Sequence, residues 1–295
     1  MYEDVNSGAD PAELRDRLYH GAIARFRDLE PMRDLIAFTR GFVEEGLAPA
    51  APVESHEGLG EDELVQIYSA ARRRFANSPE AKRCWRDVFV GAGQDPDRTA
   101  RDRLVLRFQP PAPPGRMHRR YGIATVHVHR DTWGTNLYAQ INWWAPVYPL
   151  DPGRTLAFYP HLFDRPLENS SVGFDITEVI QRNRNVPATV RSAEVVPRAL
   201  DSVHPGEGAP VLIEPGEVIA FSGQHLHGGV DNHTGKTRIS LEVRTLFIPD
   251  HVRGRGAPNV DGRARWATPG MFRRLSDGEP LDRVLGEPAF QPYEA

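Results

Sequence analysis

Four of the eleven histidines stand in two short clusters, His127-Val128-His129-Arg130-Asp131 and His225-Leu226-His227. Residues two apart on an extended chain share a face, so His127, His129 and Asp131 would aim the same way, at the spacing of metal ligands. One buried histidine is ordinarily a core residue with satisfied ring nitrogens. Two clusters, each on or beside a predicted strand, point instead to a metal. The accompanying carboxylate narrows the chemistry. After His129 the chain reads Arg130, Asp131, Thr132, Trp133, Gly134, with no glutamate. His129-x-Asp131 supplies two arms of the two-histidine, one-carboxylate triad that holds ferrous iron with coordination positions left open. The third arm must come from far along the chain, where His225 and His227 are both candidates.

The spacing to a later arginine separates those two. His227 is followed by ten residues and then Arg238-Ile239-Ser240. This His-x-Asp and His-x10-Arg-x-Ser pattern resembles the Fe(II)/2-oxoglutarate-dependent oxygenase superfamily. Pro215-Gly216-Glu217-Val218, the run to Phe221, His227-Gly228-Gly229 and Asn232 resemble its phytanoyl-CoA dioxygenase-like branch. The resemblance covers roughly 122–246, and the N-terminal part matches by type only.

It implies that His129, Asp131 and His227 hold Fe(II) and that Arg238 grips the distal carboxylate of 2-oxoglutarate. A guanidinium meets a carboxylate with two parallel hydrogen bonds, and Ser240, on the same strand face, adds a donor. Gln140, with Asn142 and Tyr138 on one face of the following strand, is expected to contact cosubstrate or substrate. His127 and His225 are additional candidates, one strand repeat from the proposed ligands.

The expected activity is a dioxygenase that couples dioxygen and 2-oxoglutarate decarboxylation to hydroxylation, desaturation or ring closure at an unactivated carbon of a small molecule. Because Asp131 keeps the carboxylate, halogenation is disfavoured. Bacterial secondary metabolism and antibiotic biosynthesis are the expected setting, with a cationic aminoglycoside or aminocyclitol as one scaffold. Two alternatives stand beside this. A cupin-like isomerase or cofactor-independent dioxygenase would use His127, His129, His225 and His227 but normally adds a glutamate. A non-catalytic jelly-roll binding protein has no need of the Arg-x-Ser pair.

These residues need elements to position them. Apolar residues three and four apart predict helices over 9–29, 32–47 and 61–75, and Ser78-Pro79-Glu80 starts another. Beyond about residue 103 come short runs rich in β-branched and aromatic residues, at 104–108, 122–129, 136–144, 155–159, 218–222 and 237–248. The predicted fold is mostly β with flanking helices: a double-stranded β-helix (jelly roll) core and a helical N-terminal region. A single domain over 1–295 would comprise a helical support (1–98), a catalytic core (99–250) and a C-terminal surface segment (251–295), with one helix expected near 269–274. The polar connection 164–208 is expected to be a substrate lid.

Composition sets outer limits. The 295 residues are 40% hydrophobic with a net charge of -4, which suits a globular chain and supplies no basic footprint for nucleic acid. No apolar run reaches about 18 residues, and the start (Met1, Tyr2, Glu3, Asp4) is acidic, so a soluble, cytoplasmic protein without a membrane partner is expected. The lone Cys84 fits a reducing compartment and reads as core beside Trp85 and Phe89 rather than as a nucleophile. Oligomeric state is left open.

Overall fold

The computed structural model describes residues 1–6, 8–113, 117–191, 196–201, 203 and 207–293. In chain order the N-terminal part runs β1 (Glu3–Asp4), α1 (Pro11–Tyr19), β2 (Ile23–Phe26), α2 (Glu30–Leu47), α3 (Glu61–Asn77) and α4 (Pro79–Gly91). Then follow β3 (Thr99–Arg101), β4 (Val105–Gln109), α5 (Thr132–Thr135), β5 (Gln140–Pro146), β6 (Leu156–Phe158), α6 (Ile176–Asn183), β7 (Ala209–Pro210), β8 (Val218–Ser222), β9 (His227–Gly229) and β10 (Arg238–Phe247). The tail adds α7 (Ile248–Val252), β11 (Trp266–Ala267), β12 (Arg273–Arg274), α8 (Leu281–Leu285) and β13 (Gln291–Pro292).

Helix starts follow local chemistry. Asp10 accepts from the Ala12 N–H at 2.8 Å ahead of Pro11, Glu63 accepts from the Gly60 N–H at 2.8 Å, and Ser78 Oγ accepts from the Ala81 N–H at 3.2 Å. The expected helix over 9–29 is overturned beyond Tyr19. Gly21 takes φ +95°, and Ile23–Phe26 pairs antiparallel with Phe221–Val218 of β8. The apolar residues at 23 and 26 look helical locally, but the ladder to β8 satisfies their backbone groups from two hundred positions away.

The main sheet has the order β1-β2-β8-β5-β10-β3-β12, with β4 also on β10, and is antiparallel except for β1 with β2. A second sheet has the order β7-β6-β9, and β11 pairs with β13. Strand residues alternate between two buried layers. One side (Ile141, Trp143, Val218, Ala220, Ile239, Leu241, Val243) packs with the helices, where Tyr68 of α3 stacks on Phe108 at 4.4 Å and Phe89 of α4 meets Trp143 edge-on at 5.5 Å. The other side (Trp144, Ile219, Phe221) closes on Leu156 and Phe158 of the second sheet.

Two further expectations change. The segment 122–129 forms no regular strand; it runs alongside β9 with one isolated bridge, His129 to His227. The helix near 269–274 is a 3-10 turn, Pro269–Met271, followed by β12, and α8 was not anticipated. The connection 164–208 carries α6 and a 3-10 turn, Ala188–Val190, while 192–195, 202 and 204–206 lie outside the described residues. Cys84 is buried in α4 with Trp85 and Phe89, as read. Among the described residues, no helix is long and apolar enough to cross a membrane.

Candidate metal centre

His129, Asp131 and His227 converge between the two sheets. One ligand atom from each lies within 4.8 Å of the others, and among the described residues they are the group placed to hold a metal ion. His227 opens β9, and His129 is locked to it by two backbone hydrogen bonds, His129 N–H to the His227 carbonyl at 2.8 Å and the reverse at 3.0 Å. The ring centroids stand 4.5 Å apart. Each ring donates Nδ1–H to the carbonyl two residues earlier, His129 to His127 at 2.8 Å and His227 to His225 at 2.9 Å. A carbonyl only accepts, so each neutral ring keeps its proton on Nδ1 and leaves the Nε2 lone pair for a metal. His227 Nε2 lies 3.7 Å from Asp131 Oδ2.

Asp131 begins the short α5 and points back toward the histidines. Asn142 Nδ2 donates to its Oδ2, and Arg244 Nη1 to its Oδ1 at 3.3 Å. Arg244 is itself fixed by Asp102, Nε to Oδ2 at 2.7 Å. Burial would raise the Asp131 carboxyl, but Arg244 and the two histidines outweigh it and hold it below the usual carboxylate range. Burial, with His227 alongside, pulls His129 down to about 4. An ionised carboxylate and neutral imidazoles are the protonation states that metal binding requires.

Arg130, between the two ligands in sequence, points the other way and is fully buried. Its guanidinium donates to the carbonyls of Leu162, Phe163, Arg165 and Gln224 at 2.7–2.9 Å and lies 3.4 Å from Asp261. Asp261 also accepts from Trp133 Nε1 at 2.6 Å. The tail, read from sequence as surface, therefore anchors the ligand loop.

Arg238 and Ser240 lie on the inward face of β10, 3% and 0% exposed. Arg238 Nη1 donates to the Thr155 carbonyl at 2.7 Å, yet its Nε and the Ser240 hydroxyl have no partner. Burial draws the guanidinium down to about 10. Such a buried cation beside an unused hydroxyl fits a carboxylate ligand.

Gln140 Nε2 donates one of its two hydrogens to Asn142 Oδ1 at 2.8 Å and so helps to orient Asn142, while its Oε1 has no partner. Tyr138 precedes β5 and turns to the tail, with its hydroxyl 3.2 Å from Asn136 Oδ1 and its ring near Tyr293, away from the Gln140 and Asn142 face.

His127 is exposed. The His225 ring is fully buried against Phe158, Phe163 and Phe221, its Nε2 3.4 Å from the Ala22 carbonyl, and burial lowers it to about 4. Neither joins the group. Sequence reasoning missed Arg244 and Asp102. The signal for Arg244 was available: the two-residue alternation that pairs Arg238 with Ser240 continues through Glu242 to Arg244.

No family model matches the chain, and no curated protein does. Solved structures that align with the chain include EvdO2 from Micromonospora carbonacea var. aurantiaca, also solved with 2-oxoglutarate. Its two structures show 13% and 14% identity, cover 83% of this chain and 94% of that one, and give TM-scores of 0.46 and 0.45. SnoK, a non-heme alpha ketoglutarate dependent carbocyclase from nogalamycin biosynthesis, shows 15% identity over 99% of this chain and 97% of its own, with a TM-score of 0.43. EctD from S. alaskensis shows 15% identity over 95% and 90%, with a TM-score of 0.44.

Proposed function

We propose that this chain is a non-haem iron dioxygenase that couples 2-oxoglutarate decarboxylation to oxidation of an unactivated carbon in a small molecule. The observation that carries this is the pairing of two unlike features between the same two sheets. One is a two-histidine, one-carboxylate group with both Nε2 atoms free. The other is Arg238, buried and short of hydrogen-bond acceptors, beside the unpartnered Ser240 hydroxyl. The first suits ferrous iron and the second a 2-oxoacid's remote carboxylate.

His129, Asp131 and His227 would hold the metal, which supplies dioxygen activation and the oxidising power for C–H cleavage. The chain's own residues do the rest. Asn142 and Arg244 fix the Asp131 carboxylate, and the carbonyls of His127 and His225 fix both tautomers. Arg238, oriented by the Thr155 carbonyl, grips the cosubstrate. Phe158 and Phe221 pack against His227 at 5.7 and 5.2 Å and keep that wall apolar.

The two facing sheets are read as a double-stranded β-helix, with 1–98 as helical support and 251–295 as the segment that braces the ligand loop. Hydroxylation, desaturation and ring closure all fit a site of this chemistry, in the setting of bacterial secondary metabolism. Against the cupin-like alternative, neither His127, which is exposed, nor His225, whose Nε2 lies 3.4 Å from the Ala22 carbonyl, belongs to the group that could hold a metal.

The test is anaerobic addition of ferrous iron and 2-oxoglutarate to the full chain. The reading requires the weak visible charge-transfer absorption of a chelated 2-oxoacid. Its absence in a protein that retains iron would overturn it.

A further inference from the structure

Beside the metal group lies a set of arginines for which the reading above has no use. Arg72 projects from α3 and is only 9% exposed. Its guanidinium lies over the Tyr121 ring at 4.9 Å, and Nη2 reaches the Tyr121 hydroxyl at 3.4 Å. Among the described residues no carboxylate pairs with it. Gly122 makes its position possible: at φ +97° a Cβ there would fall 2.4 Å from Arg72 Nη1, so only glycine leaves room for the guanidinium. Arg107 stands on β4 opposite Ser240 of β10 and makes a two-pronged pair with Glu242. Arg103 is exposed, and no carboxylate among the described residues pairs with it.

The charges do not balance. Arg72, Arg107 and Arg238 all act on one acid, Glu242. Two positive charges are therefore left over, and the distal carboxylate of 2-oxoglutarate would offset one. A buried charge without a counter-ion is unfavourable, so the arrangement calls for a second anion. The place for it adjoins the residues read as the cosubstrate site, because Arg107 lies directly across from Ser240 in the β4–β10 ladder and projects from the same face of the sheet as Arg238. Tyr121 reports the same excess: burial would raise its phenol, but Arg72, Arg103 and Arg107 outweigh burial and draw it down to about 8.

We propose that Arg72, Arg103 and Arg107, grouped around Tyr121, form a subsite that recognises an anionic group, a carboxylate or a phosphate, on the substrate. This rests on the oxygenase reading and names the substrate class of that site. A purely cationic scaffold, such as an unmodified aminoglycoside, does not complement it.

The test follows the tyrosinate absorbance of the full chain from pH 7 to 10 at matched ionic strength. The arms contain chloride, acetate, inorganic phosphate or 2-oxoglutarate. A phenolate that forms near pH 8 and disappears in Tyr121→Phe is expected. Acetate or phosphate should move it up by about half a unit or more, since an anion cancels the field that favours the phenolate; the more effective of the two tells carboxylate from phosphate. Arg103→Gln, an exposed change that spares the fold, should shrink the shift, and Arg72→Gln should abolish it.

No anion effect, or an equal effect in both variants, overturns the subsite. So does a shift produced by 2-oxoglutarate and lost in Arg238→Ala, since the arginines would then belong to the cosubstrate site. The charge-transfer band, read on the same samples, separates the two claims: a band with no anion effect defeats the subsite alone, and a missing band defeats the oxygenase reading.

Discussion

His129 and His227 are reciprocal backbone partners: each N–H donates to the other's carbonyl, at 2.8 and 3.0 Å, which brings their rings to 4.5 Å between centroids. Two segments almost a hundred residues apart are thus registered by the residues that would share the metal. A slip of one residue would turn either ring to the opposite face. His225, two residues before His227, packs on the same Phe158 and Phe221 rings but stays outside the metal group: the chain turns there, with the His225 N–H donating to the Ser222 carbonyl at 3.0 Å, and its Nε2 lies 3.4 Å from the Ala22 carbonyl.

Replacing the two distal histidines should therefore have opposite effects. His227→Ala is expected to lose stoichiometric ferrous iron and 2-oxoglutarate turnover together. His225→Ala, which empties a phenylalanine-lined site, should keep the iron while lowering the melting temperature, at a cost of about 2 to 4 kcal/mol. Metal content after gel filtration, with thermal denaturation, checks both. Iron retained in His227→Ala and lost in His225→Ala would refute the assignment.

Arg238→Ala removes the one buried cation of β10 that lacks a carboxylate at hydrogen-bond distance. Loss of a charge-assisted pair in a buried site costs roughly 3 kcal/mol or more, so 2-oxoglutarate affinity should fall at least about a hundredfold with iron binding unchanged. Calorimetric titration in the presence of the metal measures this, and unchanged affinity would count against the cosubstrate site.

Asn142→Ala leaves one Asp131 oxygen without its donor. Partners that orient metal ligands are typically worth about 10- to 100-fold in metal affinity, and a loss in that range is expected. Gln140→Ala, one hydrogen bond further away, should produce a smaller loss of the same kind. Competition with a chromophoric chelator gives the affinities. A Gln140→Ala that lowers 2-oxoglutarate affinity with metal affinity intact would make it a direct cosubstrate contact.

Asp261→Ala strands the buried Arg130 guanidinium and the Trp133 indole N–H. Breaking one side of a buried pair costs about 3 to 5 kcal/mol, so a large drop in denaturant midpoint is expected, with iron affinity reduced because the ligand loop loosens. Chemical denaturation at fixed metal concentration tests this. A surface-like effect, within about 0.5 kcal/mol, would show that the tail does not brace the loop.

The residue types and short-range spacing already determined much of this protein. His129-x-Asp131 and the interval from His227 to Arg238 singled out the three residues that the fold brings together, and the placement of Ser240 on the face of Arg238 followed from the two-residue period of a strand. Helix starts at Glu61 and Pro79, and the strand Val218–Ser222, were legible because caps and β-branched runs are local signals.

What tertiary structure decided depends on groups remote in sequence. Ile23–Phe26 became a strand because β8 lay beside it, against a helical local pattern. His127 and His225 were excluded by burial and turn geometry, which spacing does not encode. Asp102, Arg244 and Asp261 acquired their roles only when folding brought their charges to Asp131 and Arg130 in a setting where water cannot screen them. A motif fixes which side chains share a face, whereas the fold fixes what that face meets.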